Sequence, residues 1–408
     1  MKNVETIGAR SMLLQFYMKN FKSFAEDTTV DFIASPKCRE LPGFTINHRK
    51  TKILPCIALF GANASGKSNV IEGFARMTEI VRNNHDDYSV IVPFIFDETH
   101  KYEPTVFEVT LCEGMLEFRF GISVDKSDIV KEWLYVKRSG ARYANEEEDV
   151  VYERENSSIT FISDSVQLDN PIRTASSKKS LLSTLAENDV PIAKAVYTWF
   201  SNSNAFHATY LENNTRSLRA AAELMGKVPS VFEFCNEFIH KFDPCIEALV
   251  LIDDIDKDQI PYKKIMTKHC GSDRQISFNI ESAGTKKLLR TLVHLTVALK
   301  LGSVVLIDEL DSRLHPLLLR EIVSMFHDPS INTAKGQLLF STHNVTLLDG
   351  ECLRRDEIWF TQKEISGKSC LYSLIDIKLS GTKRVRSDLR YMKNYLLGKF
   401  GAIPYRRE

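Results

Sequence analysis

Four short stretches carry residue types that could act together. "GANASGKS", residues 61–68, fits the pattern G-x-x-x-x-G-K-[ST]. Backbone N–H groups from Ala62 to Ser68 can wrap a β-phosphate, aided by the partial positive charge of a helix start. Lys67 then reaches the β- and γ-phosphates, and the Ser68 hydroxyl ligates Mg²⁺. The expected contacts with ATP are Gly61, Ala62, Asn63, Ala64, Ser65, Gly66, Lys67, Ser68 and Asn69. A glycine turn can also serve geometry alone, so its company matters. "SVVLIDEL" (303–310) ends an apolar run with two adjacent carboxylates, which are costly near a sheet unless a cation or a water uses them. Asp308 is expected to hold Mg²⁺ through its water shell, and Glu309 to polarise the attacking water as general base. In "FSTHN" (340–344) His343 stands just past another apolar strand, placed to meet the γ-phosphate or that water. "NIESAGTKK" (279–287) sets Ser282, Gly284 and Thr285 at the start of an apolar-periodic run, an arrangement suited to phosphate oxygens. Read alone, Ser282 is a helix N-cap that needs no ligand.

These stretches need strands and helices to hold them. "ILPCIALF" is a short, continuously apolar run of the kind buried on both faces of a sheet; it leads into the glycine loop and then the helical pattern "NVIEGFARMTEIVRN". Before it, "LLQFYMKNFKSF" and "TTVDFIA" read as opening strands. From about 100 to 165 the period becomes two, in "TVFEVTL", "LEFRFGISV", "VKEWLYVKR", "DVVYERE" and "SITFIS", which predicts an antiparallel β subdomain. Residues 166–245 carry helical signals and predict a largely helical insertion. After 246, strands alternate with helices through "SVVLIDE", "QLLFST", "EIWFTQ" and "CLYSLIDI". The expected fold is α/β, a mainly parallel sheet with covering helices, an antiparallel β subdomain and a helical lobe. Its expected parts are 1–165, with the P-loop and the β subdomain; 166–245, the helical insertion; and 246–408, with the remaining motifs.

Composition excludes several classes. Lys+Arg and Asp+Glu both number 53 in 408 residues, so no overall field draws the chain to nucleic acid or anionic lipid. Eight cysteines are scattered without a C-x-x-C pair, which points to reduced thiols in a cytoplasm rather than to zinc or disulfides. The longest apolar candidate, "LTVALKLGSVVLI", is broken by Lys300 and Gly302, so no membrane span is expected. Residues 1–11 lack the apolar core of a secretion signal and read as a frayed extension or an upstream start.

The order of parts adds a resemblance. The P-loop, a Ser-x-Gly element, the Asp-Glu strand, "LDSR" with Asp311, and a strand ending in histidine together resemble the head of ABC-type ATPases of the SMC-like and OLD-like branch. "NFKSF" (20–24) is similar to an SMC-type start. "ESAGTK", "LDSRLHP" and the terminal "YLLGKFGAIP" look like the stand-alone ATPases of the AbiL/RloA type and of the AriA component of PARIS, in bacterial anti-phage defence. The resemblance implies a P-loop NTPase with a two-lobed head and ATP-dependent, head-to-tail pairing into a dimer or a larger ring. It further implies Ser282, Gly284, Thr285 and Asp311 as nucleotide contacts, and a separately encoded nuclease or toxin partner answering to a phage protein. Two departures stand out. "VIVPFIFD" (90–97) offers no glutamine for the Q-loop, and the stretch between Lys67 and Gly284 lacks the sustained heptads of a long SMC arm.

Competing readings remain open at this level. A DNA-engaging repair ATPase would use the basic segment Lys383, Arg384, Arg386 and Arg390, although nucleic acid is not required by anything above. A transporter's ATPase subunit fits the SMC-type start poorly. A non-hydrolysing scaffold would have no use for Glu309.

Overall fold

Cys56–Phe60 is buried at every position because its sheet is covered on both faces. Ile57 and Leu59 point into one apolar core, while Cys56, Ala58 and Phe60 point into a second. The computed structural model describes residues 11–82, 88–138, 147–163, 175–207, 215–256, 258–379, 383–384 and 390–404. The central sheet has six strands in the order Asn204–His207, Val304–Asp308, Gln337–Ser341, Cys56–Phe60, Ile358–Lys363, Ser369–Ser373. The first five run parallel and the last antiparallel. Parallel strands bring their carboxyl ends to one edge, so "GANASGKS", Asp308 and "STHN" all emerge there.

One face of this sheet carries the P-loop helix Lys67–Val81, which in turn packs on a seven-stranded antiparallel sheet. That sheet unites the period-two strands between Thr105 and Ile162 with the opening strands Met12–Lys19 and Thr28–Asp31. Inside it, Glu132 and Arg154 form a fully buried ion pair. A buried charge is tolerated only when its lone pairs are used. Here the Glu132 carboxylate accepts hydrogen bonds from Tyr152 and Ser180 and from the backbone N–H groups of Leu181 and Leu182, which open the helix Leu181–Glu187.

Segment 166–245, expected to be largely helical, is divided between the two cores. The helices Leu181–Glu187 and Pro191–Asn202 belong to the first core, and Thr215–Lys227 and Pro229–Phe242 to the second. Between them, Asn204–His207 is a strand at the sheet edge, so the chain crosses from one face to the other there. Pairing with Val304–Asp308 decides that conformation, since four residues carry too little periodicity to announce a strand. The second core also receives the small sheet Ile246–Ile255, Pro261–His269, Gln275–Ser277 and the helix Ala283–Val297.

On that helix, burial pushes the His294 imidazole down from 6.5 to about 4. The unfolded chain takes up this proton near 6.5, whereas the fold refuses it until about 4. Stability is therefore intact above that window and lost as pH falls through it. At about pH 4.5 the loss amounts to roughly 2.5 kcal/mol. Urea midpoints at neutral and acid pH should lie closer together in His294→Gln than in the parent chain. Equal separation would show that this imidazole does not govern the acid limb.

Candidate nucleotide site

The P-loop is shaped by contacts that leave its upper surface open. Gly61 has φ +152, and a Cβ there would lie 2.5 Å from Thr361 O, so no other residue fits. Gly66 (φ 115) precedes the helix Lys67–Val81 without any side-chain cap; the Asn69 N–H donates to Gly66 O (3.0 Å), and the N–H groups of Lys67 and Ser68 are left to a ligand. From beneath, the Thr361 hydroxyl meets Ser65 Oγ and the Ser369 hydroxyl donates to Ser65 O (2.7 Å). Asn69 Nδ2 donates to Ser23 Oγ (2.7 Å), tying the loop to the "NFKSF" turn. Asn63, Ala64 and Ser68 are exposed.

Lys67 is 5% exposed, and its ammonium donates to Gly61 O (2.7 Å) and Ala62 O (3.0 Å). Burial pushes its pKa down, and the carboxylates of Asp308, Glu309 and Asp311 pull it back up. Three acids thus lie within electrostatic reach of one lysine. Asp308 is 1% exposed and accepts a hydrogen bond from the Ser341 hydroxyl, whose oxygen accepts in turn from the Glu309 N–H (2.7 Å). Glu309 has φ 50, a left-handed conformation that costs about 1–3 kcal/mol for a side-chain-bearing residue and persists where the surroundings impose it. The His343 N–H donates to Asp311 Oδ2 (3.1 Å), so the "LDSR" loop also fixes the backbone that presents the exposed imidazole. His343 and residues Gly61, Ala62, Asn63, Ala64 and Ser65 line one cavity of about 510 Å³.

Ser282, Gly284 and Thr285 do not line that cavity. Ser282 is the N-cap of Ala283–Val297, accepting from the Thr285 N–H (3.1 Å), and the Thr285 hydroxyl reaches Asp243. Ser282 and Ala283 are exposed all the same. One turn on, the buried Lys287 ammonium donates to Ser312 O (2.5 Å) and Glu309 O (3.5 Å), binding this helix to the loop after the acidic strand.

The donors suit a hard cation that arrives with its ligand. Ser68 offers a hydroxyl and Asp308 a buried carboxylate, an all-oxygen set with room for water and phosphate, which is how Mg²⁺ is usually held at phosphate sites. Among the described residues no cluster of three or more His, Cys, Asp or Glu could hold a metal by itself.

Comparison with known proteins gives this geometry a family. Residues 56–349 match the family described as "AAA domain, putative AbiEii toxin, Type IV TA system", a span running from the P-loop strand past His343. The chain belongs to this AAA family. A search of curated proteins finds no match. Among solved structures, the AAA chain is similar to an SMC head bound to the C-terminal winged-helix domain of ScpA, at 13% identity and a TM-score of 0.52, covering 88% of this chain and 97% of that one. An SMC head from Pyrococcus furiosus, crystallised with an extended coiled coil and the C-terminal domain of ScpA, follows at 12% identity, TM-score 0.49, and 89% and 96% coverage. The SMC head domain of Thermotoga maritima gives 15%, 0.44, 88% and 98%. At these identities the first likeness speaks for the fold, that of a P-loop ATPase head.

Several parts of the AAA site left little trace in the sequence. Ser341, Thr361, Ser369 and Ser23 hold the loop and the acidic pair, yet a lone hydroxyl residue near a strand end has no distinguishing pattern. "VIVPFIFD", which offers no Q-loop glutamine, packs beside the opening turn: Val92 O accepts from Lys22 N (2.8 Å), and Phe94 N donates to Asn20 Oδ1 (2.9 Å). The strand flanking the acidic strand on its outer side is Asn204–His207, with His207 in register with Asp308. Of the basic cluster, Arg386 lies outside the described residues, as do residues 1–10.

Proposed function

We propose that this AAA-family chain binds ATP with Mg²⁺ in its P-loop and hydrolyses it between two copies arranged head to tail. Its cycle would control a separately encoded nuclease or toxin effector in bacterial anti-phage defence. Lys67 holds the β- and γ-phosphates, Ser68 and Asp308 hold the cation, Glu309 takes the proton of the attacking water, and His343 steadies the γ-phosphate. When bound, Mg²⁺ neutralises charge on the phosphate oxygens.

One observation carries the trans arrangement. The N-terminus at Ser282 and Ala283 is exposed and does not line the cavity beside the chain's own P-loop, which leaves the N–H groups of Ala283 and Gly284 for a nucleotide held by another copy. The defence role draws support from the family's description as a toxin of a type IV TA system and from the resemblance of "ESAGTK" and "YLLGKFGAIP" to defence ATPases. Hydrolysis per protomer should fall as the protein is diluted below the concentration at which copies associate. A rate that stays constant down to the monomer would overturn the shared site.

A further inference from the structure

The strand Ile358–Lys363 lies beside the P-loop strand, and its last two residues line the same 510 Å³ cavity as residues 61–65 and His343. The adjoining wall comes from the C-terminal segment: Tyr395, Ala402, Ile403 and Pro404. Gln362 fastens that wall. Its Oε1 accepts from the Ala402 N–H (3.2 Å) and from the Tyr372 hydroxyl (3.1 Å), and the same hydroxyl lies 2.8 Å from Phe400 O. Phe360, two residues earlier, stacks on Tyr395 with ring centroids 5.4 Å apart. The compartment is therefore built from side chains at fixed positions.

Lys363 differs from its neighbours. Among the described residues its ammonium takes part in no ion pair, hydrogen bond or ring contact, although most lysines around the antiparallel sheet have carboxylate partners. The direction of the nucleotide follows from Lys67, whose ammonium sits against Gly61 O and Ala62 O. Gly61 and Ala62 line the cavity, and so does His343, which the proposed function places at the γ-phosphate. A cation on this wall shares the cavity with the residue proposed to meet the terminal phosphate.

We propose that Lys363 is a ligand of the terminal phosphate and sets the preference of the site for ATP over ADP. The inference rests on reading the P-loop as an ATP site. The γ-phosphate adds charge that ADP lacks at this end, and a charge-assisted hydrogen bond from Lys363 favours only the triphosphate.

Equilibrium binding of ATP and of ADP, measured on the full chain in the Glu309→Gln background to prevent turnover, tests it. Lys363→Ala should weaken ATP binding about tenfold and leave ADP affinity unchanged. Lys363→Glu should weaken ATP further by the same selective route. Equal losses for the two nucleotides, or an unchanged ATP/ADP ratio, would overturn the assignment while leaving the ATP site itself standing. Failure of the Glu309→Gln protein to bind either nucleotide would overturn the ATP-site reading and this inference with it.

Discussion

Glu309→Gln should lower steady-state ATP hydrolysis by about 10²–10⁴-fold, the range expected when a general base is lost. ATP affinity should stay close to that of the parent chain. The substitution keeps the shape of the side chain, and the left-handed backbone and its bond to Ser341 Oγ do not involve the carboxylate. What disappears is the basicity needed to take a proton from water. Because the nucleotide then persists, association of copies in ATP should be prolonged, visible by light scattering or sedimentation. Turnover within a few-fold of the parent chain would remove Glu309 from the role and leave His343 as the alternative base.

Lys67→Ala acts one step earlier. The ammonium is held by two carbonyls of the loop, within electrostatic reach of three carboxylates. Without it those carboxylates confront the incoming phosphates with less opposing charge. ATP affinity should fall about 100-fold, as for a lost hydrogen bond between charged groups in a buried place. Titration calorimetry with ATP and Mg²⁺ reads this directly. Retained affinity would mean that the loop binds by its N–H groups alone and that Lys67 serves only the transition state.

The P-loop, the acidic pair and His343 can be proposed from sequence because each is a local pattern whose chemistry depends on adjacent residues. The continuous apolar runs before them were legible for a related reason: burial on both faces removes the alternation that a half-exposed strand shows, and Ile57, Leu59 and Phe60 divide between two cores accordingly. Asn204–His207 was not legible, since its strand character comes from a partner strand far along the chain. The opening strands were recognised as strands, but their partner was not. Met12–Lys19 pairs with Thr105–Glu113 across a long separation that no local signal encodes. The hydroxyls beneath the loop fall in the same class. Ser369 and Thr361 matter because of the loop they support, and their own neighbours in sequence say nothing of it.

The buried Lys287 ammonium has a mechanical meaning. Fastened to the carbonyls of Ser312 and Glu309, it makes the helix that starts at Ser282 and the loop that follows Glu309 one lever. In an assembly of the proposed kind, a copy whose acidic loop has settled around its own nucleotide presents its neighbour with a correctly aimed Ser282, and a copy whose loop is slack presents a misaimed one. Two such levers, each resting on the other's load, behave as a latch that closes on both sides or on neither. Half-engaged pairs would then be fleeting, and an effector governed by this chain would receive a switch rather than a graded signal.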